Sequence, residues 1–148
     1  MIRRLLVPLD PSDYTAAALQ HACALARRHD AEVTGIAILD LPDIEKSIGA
    51  VPVGGLYYAE KLEEHREHEA QQKIDALLET FERTCRSAGV RHRAADLQGP
   101  PSSLIVEKST YFDLVVMGLR TYYTFETSDT PSGSLEDLLD HSVTPIWA

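Results

Sequence analysis

Apolar residues recur along this chain in two rhythms. Short unbroken runs alternate with longer stretches in which every third or fourth position is apolar. Leu5 to Leu9 is the first run. It predicts a strand buried on both faces, with Pro8 near its end, where a missing ladder donor does least harm. Ala17, Ala18, His21, Cys23, Ala24 and Leu25 then recur at helical spacing, and Ser12 or Asp13 can cap that helix. Val33 to Leu39 is a second apolar strand. The stretch LPDIEKSIGAVPVGGLYY (41–58) holds two prolines and three glycines, which predicts a loop with room for a short turn of helix.

A long helix follows over 59–88. Ala70, Ile74, Leu77, Leu78, Phe81, Cys85 and Ala88 form its apolar stripe, and Gly89 stops it. Its first three turns are charged on nearly all sides, which points to solvent or to a partner. VRHRAADLQG is less apolar and reads as a strand nearer an edge. PPSSLIVEKSTYF is a short helix with Pro101 or a serine in its first turn. DLVVMG is the most apolar short run and reads as a central strand. SLEDLLDHS is a helix of two to three turns, and TPIWA is a last strand. Strands alternating with helices imply an α/β fold with a doubly wound, mainly parallel sheet and helices on both faces. The expectation is a single domain over residues 1–148. The strand pattern runs on to Trp147 without a polar tail, which also suits the N-terminal half of a longer tandem protein.

The formal net charge of −9 argues against a nucleic-acid or acidic-membrane partner, because phosphate backbones attract basic faces. A small nucleotide needs only a local site. No apolar run approaches the roughly 18 residues of a membrane span, and the apolar part of MIRRLLVPLD is too short for a signal peptide. Cys23 and Cys85 both fall in apolar helical patterns. They read as small buried thiols and fit a reducing, cytoplasmic location.

Open parallel sheets bind ligands beyond the C-terminal ends of their strands, where strand order reverses. Two segments can meet there: VPLDPSD after the first strand, and the loop from Gly118 to Gly133-Ser134 after the fourth. Asp10 stands at a strand end, away from the core pattern. Its carboxylate suits a ribose hydroxyl or an adenine amino group, and equally an Asx turn or helix cap. Gly118 permits positive φ and close backbone approach. Gly133-Ser134 precedes an apolar helix whose free N–H groups attract anions. The same Ser134 with Asp137 makes a capping box that consumes those donors. His65 and His68, three apart among glutamates, suit a solvated helix face, since no third and fourth zinc ligand can be named. No nucleophile is paired with a base, so no catalytic residue and no metal ligand is assigned.

On LLVPLDPSDYTAAALQHACALARRHDAEVTGIAIL, the long helix, DLVVMGLR and GSLEDLLDHSVTPIWA, nearly the whole chain resembles the universal stress protein family. The resemblance implies an adenine nucleotide alpha hydrolase-like fold with five parallel strands in the order 3-2-1-4-5. It also implies a homodimer, or a tandem domain, formed through the last strand. Many members bind ATP and others lack nucleotide. By the resemblance, Pro8, Leu9 and Asp10 would line an adenosine pocket, and Ile38 would offer backbone contacts to adenine. Met117 and Gly118 would lie under the ribose and phosphates. Arg120, Gly133, Ser134 and Leu135 would contact phosphate.

The ATP-binding signature of the family is Gly, two residues, Gly, nine residues, then Gly with Ser or Thr. Here Thr121 replaces the second glycine, and the spacer YYTFETSDTPS has eleven residues. The β-branched Thr121 resists positive φ. Tyr122, Tyr123 and Phe125 add bulk. Glu126 and Asp129 add negative charge, each opposing a phosphate about 6 Å away by roughly 2–3 kcal/mol at an effective dielectric of about 20. Magnesium would reverse that sign by using the carboxylates as ligands. Two expectations stand: a regulatory module binding ATP, ADP or AMP, with at most slow hydrolysis, or a member without nucleotide that works as a dimerising scaffold or partner-binding module.

Overall fold

Alternation within the apolar runs builds two cores from one sheet. Leu5, Val7 and Leu9 enter one core with Val33, Ala37, Leu39 and Val116. Leu6 enters the other with Ile36, Ile38, Val115 and Met117. A strand apolar at every position is therefore buried on both faces. A computed structural model describes residues 1–119 and 134–148. In chain order the elements are β1 (Arg4–Pro8), α1 (Asp13–His29), β2 (Glu32–Leu39), α2 (Leu41–Ile48), α3 (Leu56–Ala88), β3 (Arg91–Gln98), α4 (Pro101–Ser109), β4 (Leu114–Val116), α5 (Ser134–His141) and β5 (Ile146–Trp147). The strands form one five-stranded sheet in the order β3-β2-β1-β4-β5, and each neighbouring pair is parallel. The expected edge position for VRHRAADLQG and the interior position for DLVVMG are both found.

The first core lies under α1 and α3. Ala18, Leu19, Ala22, Cys23 and Ala26 of α1 meet Ala70, Ile74, Phe81 and Cys85 of α3. The second core lies under α4 and α5, where Ile105 and Leu138 cover the sheet. Polar pins fix the strand ends. The Asp113 carboxylate accepts the N–H groups of Arg3 and Arg4 at 2.8 and 2.9 Å, tying the start of β1 to β4. Those two hydrogen bonds hold its carboxyl below the ordinary value. Buried Thr144 donates to Ser109 O at 2.8 Å, and Ser142 meets Ser109 at 3.3 Å between hydroxyls, so the end of α4 anchors the approach to β5.

Two local expectations are corrected. The stretch read as a loop contains α2, eight residues long, whose cap is Asp40 accepting from Asp43 N–H at 3.1 Å. Pro42 lies in the first turn of this helix, and Ile44 is its buried residue. One buried position in eight leaves no readable period, which is why the helix was hidden. Burial pushes the Asp40 carboxyl above its usual value, with the Asp43 N–H opposing. Second, Ser12 occupies the N-cap position of α1 but its side chain makes no capping bond; its hydroxyl is used elsewhere, as described below.

α3 is 33 residues long, about 50 Å at 1.5 Å per residue. Its second half, from Ala70 on, supplies the stripe expected of it. Its first turns carry exposed Leu56, Tyr57 and Tyr58 as well as charge, and Arg66 hydrogen-bonds Ser47 of α2.

Where α3 crosses β2, Phe81 lies flat on Gly35. A Cβ at Gly35 would sit 2.7 to 2.9 Å from three Phe81 ring atoms, and the ring is 1% exposed, so it has nowhere to move. Gly35→Ala is expected to destabilise the protein by about 1–3 kcal/mol through overpacking, read as a lower urea midpoint at unchanged slope. An unaltered midpoint would show that the ring does not rest on the strand.

Candidate functional site

Strand lengths create the site. β1 pairs with β2 only as far as Pro8 opposite Ile36, with one further bond from Leu9 N–H to Ile36 O at 2.8 Å. β2 continues to Leu39, pairing with β3. Backbone groups alternate sides along a strand. The even residues of β2 face β1, as Glu32 N–H to Arg3 O and Ile36 O to Leu9 N–H show, while Leu39 O faces β3 and accepts from Gly99 N–H. Ile38 therefore directs its N–H and C=O to the side on which β1 has ended, beside the Leu9–Asp10 turn. On the other flank Leu6 pairs with Val115, so two residues on Pro8 is level with Met117. Met117 N–H donates to Trp147 O at 3.0 Å. Met117 and Gly118 are buried, and Leu119 beyond them is exposed.

Pro8, Leu9, Asp10, Ile38, Met117 and Gly118 thus share the C-terminal edge of the sheet at the point where strand order reverses. Arg120 and Gly133 lie outside the described residues, as do Thr121 and the acidic and aromatic residues of the intervening loop. Ser134 and Leu135 open α5; their side chains, and that of Asp137 in the expected capping box, are likewise outside the described ones.

Asp10 corrects an expectation. It stands at a strand end, away from the core pattern of the sequence, yet it is wholly buried. Ser12 Oγ donates to its Oδ1 at 2.8 Å, and Thr15 Oγ1 donates to the same oxygen. The Thr15 hydroxyl in turn accepts Asp10 N–H at 3.1 Å. The carboxylate therefore closes the turn into α1, and these hydrogen bonds replace the water it has lost. Thr15 is the residue that sequence reasoning missed. Its signal was the order Asp, Ser, Thr at positions 10, 12 and 15, which sets two hydroxyls around one carboxylate as the helix begins.

A pocket of about 190 Å³ adjoins this turn. It is lined by Leu9, Asp10 and Ser12, by Thr15 and Leu19 of α1, and by Phe81 and neighbouring residues of α3. The histidines on α3 are engaged along their own helix: His65 Nε2 lies 3.4 Å from Glu69 and His68 Nε2 3.0 Å from Gln72. Among the described residues, no three His, Cys, Asp or Glu side chains converge to hold a metal ion. No described helix is long and apolar enough to cross a membrane.

A parallel five-stranded sheet of this order, covered by helices on both faces, defines a doubly wound α/β domain. The universal stress protein family model matches residues 1–144, and the chain belongs to that family. A universal stress protein of Methanocaldococcus jannaschii is 28% identical over 120 residues, covering 80% of this chain and 65% of that protein. The chain thus spans about 65% of the length of that relative. Among solved structures, a universal stress family protein from Arabidopsis thaliana with AMP bound is 18% identical, with a TM-score of 0.61 over 98% of this chain and 89% of the other. The universal stress protein of Archaeoglobus fulgidus in complex with dAMP is 17% identical, with a TM-score of 0.60 over 99% and 97%. At these identities the structures attest the shared fold.

Thr15→Val removes both bonds of the hydroxyl while keeping its shape. It is expected to cost about 1–3 kcal/mol, because it leaves a buried N–H without its acceptor and takes a donor from a buried carboxylate. Thr15→Ser should restore most of that. Chemical denaturation of the two variants checks the difference, and equal stability would mean that the hydroxyl does not hold the turn.

Proposed function

We propose that this universal stress protein domain binds an adenine nucleotide at the switch point, as a regulatory module rather than a fast catalyst. The observation that carries the reading is the backbone edge of Ile38, facing the side on which β1 has ended, next to the Leu9–Asp10 turn. An N–H and a C=O side by side match the donor and acceptor on the edge of adenine. Pro8 and Leu9 would flank the base. Asp10, its rotamer fixed by Ser12 and Thr15, would meet the base or the ribose. Met117 and Gly118 would lie beneath the sugar. Arg120, Gly133, Ser134 and Leu135 would take the phosphates.

The adenosine half of this site has more support than the phosphate half. Thr121, two extra loop residues, and Glu126 with Asp129 all oppose a triphosphate. The relatives that carry AMP and dAMP fit a nucleotide with one phosphate. ATP would then gain from magnesium, which offsets the charge of Glu126 and Asp129.

The experiment is a melting curve with AMP, dAMP and ATP, the last with and without magnesium. Ligand at 100 times its dissociation constant adds about 2.7 kcal/mol of stability, which at this chain length moves the midpoint by several degrees. Asp10→Asn, folded by circular dichroism, should lose the shift. No shift with any nucleotide at millimolar concentration removes this reading.

A second reading, a dimerising or partner-binding module without nucleotide, is favoured by the outer strand. Among the described residues β5 has no neighbour beyond it in the sheet, Trp147 is 45% exposed, and Val143, four residues earlier, is exposed as well. Sheet edges with exposed apolar side chains invite association. With only two residues in β5, the contact expected is apolar packing around Trp147 and not a long ladder. Dimerisation suits both readings, as does a cytoplasmic setting. Sedimentation equilibrium is expected to show a dimer that Trp147→Asp weakens at least tenfold; a monomer at high concentration would count against it.

A further inference from the structure

The two cysteines of the chain meet in the first core. Cys23 lies on α1 and Cys85 on α3, both free and both buried, with their Sγ atoms 3.9 Å apart. α1 leaves the C-terminal end of β1, and α3 precedes β3 in the same parallel sheet, so the two helices run in the same direction. Leu19 and Phe81 stand one turn ahead of Cys23 and Cys85. Both line the pocket beside the Leu9–Ser12 turn, together with exposed Gln20 and half-buried Thr84. A small solute entering there comes within about one helical turn of the thiols.

We propose that Cys23 and Cys85 are a redox modification site, closing into a reversible intramolecular disulfide when a hydroperoxide reaches them and pinning α3 to α1. A disulfide bond is about 2.05 Å long, so the sulfurs must approach by about 2 Å, a displacement within reach of side-chain rotation on two packed helices. The roles divide between the partners. The hydrogen bond from Cys85 holds the Cys23 thiol below its ordinary value, with Arg27 one turn on adding to this and burial opposing it. The same bond, together with burial, pushes Cys85 up. Cys23 is the attacking sulfur, because the thiolate is the nucleophile.

The Cys23 thiolate attacks one oxygen of hydrogen peroxide. The O–O bond breaks, hydroxide leaves and gains a proton as water, and Cys23 becomes a sulfenic acid. The Cys85 sulfur then attacks Cys23 Sγ and gives up its proton. The S–O bond breaks and a second water departs. Two thiols lose two electrons and the peroxide accepts both. The bond links positions 62 apart in sequence, enclosing β2, α2 and most of α3.

The experiment needs no nucleotide, so it stands apart from the reading of the switch point. The folded protein is treated with a few equivalents of hydrogen peroxide, quenched with a thiol-blocking reagent and analysed by intact mass and peptide mapping. Expected are a loss of two hydrogens, a Cys23–Cys85 cross-linked peptide, a melting midpoint raised by roughly 10 °C, and reversal of all three by dithiothreitol. Cys23→Ser and Cys85→Ser should each abolish the cross-link. Two thiols still blockable after treatment, oxygen adducts without a cross-link, or a disulfide between chains would each overturn the proposal. The mapping on the wild-type chain decides the matter even if a serine variant fails to fold.

Discussion

β1 ends at Pro8, while its neighbour β2 runs on to Leu39, and this mismatch in length shapes the C-terminal edge of the sheet. Proline has no N–H to extend a ladder, and the chain turns immediately afterwards into α1. The turn is stabilised from within. Asp10 is buried, and its charge is matched by the hydroxyls of Ser12 and Thr15. One strand stopping early does two things at once: it leaves the backbone edge of Ile38 beyond the last paired residue of β1, and it turns the chain so that the Asp10 carboxylate is buried. An uncompensated buried carboxylate would be costly, so the hydroxyl pair is a condition of the turn rather than an ornament to it.

The two cores meet at that same strand. Leu5, Val7 and Leu9 face α1 and α3, and Leu6 faces α4 and α5. A change on one face is therefore felt at the strand that also ends at the site. Phe81 lying on Gly35 is one such contact. Below it Cys85 meets Cys23, and beside it runs the pocket that reaches Asp10. The α1–α3 seam thus connects the middle of the first core to the switch point through packed side chains.

Much of the architecture was legible. Leu5–Leu9, Val33–Leu39 and the apolar centre of DLVVMG are unbroken runs, and only a strand buried on both faces needs every position to be apolar. The stripe from Ala70 to Ala88 has a single period and a glycine stop. α2 was not legible, because it buries one residue and its Pro and Gly neighbours look like a loop. The end of β1 was recognisable as the C-terminal edge of the sheet at its topological switch point. The state of Asp10 was not, since an aspartate at a strand end serves equally as a cap, a ligand or a buried hub.

By itself the sequence determined the order and type of nearly all elements, since burial on one face or two leaves a period in the chain, and it pointed to the family through a resemblance that runs over nearly the whole chain. Only the tertiary structure decided what lies beside what. The pairing of Pro8 with Ile36 turned the parity of β2 toward the gap, the packing of α1 on α3 brought two distant thiols to 3.9 Å, and burial made Thr15 the partner of Asp10. Those relations join residues on different elements, or on a turn whose bonds depend on being shut away from water, and no local pattern records them.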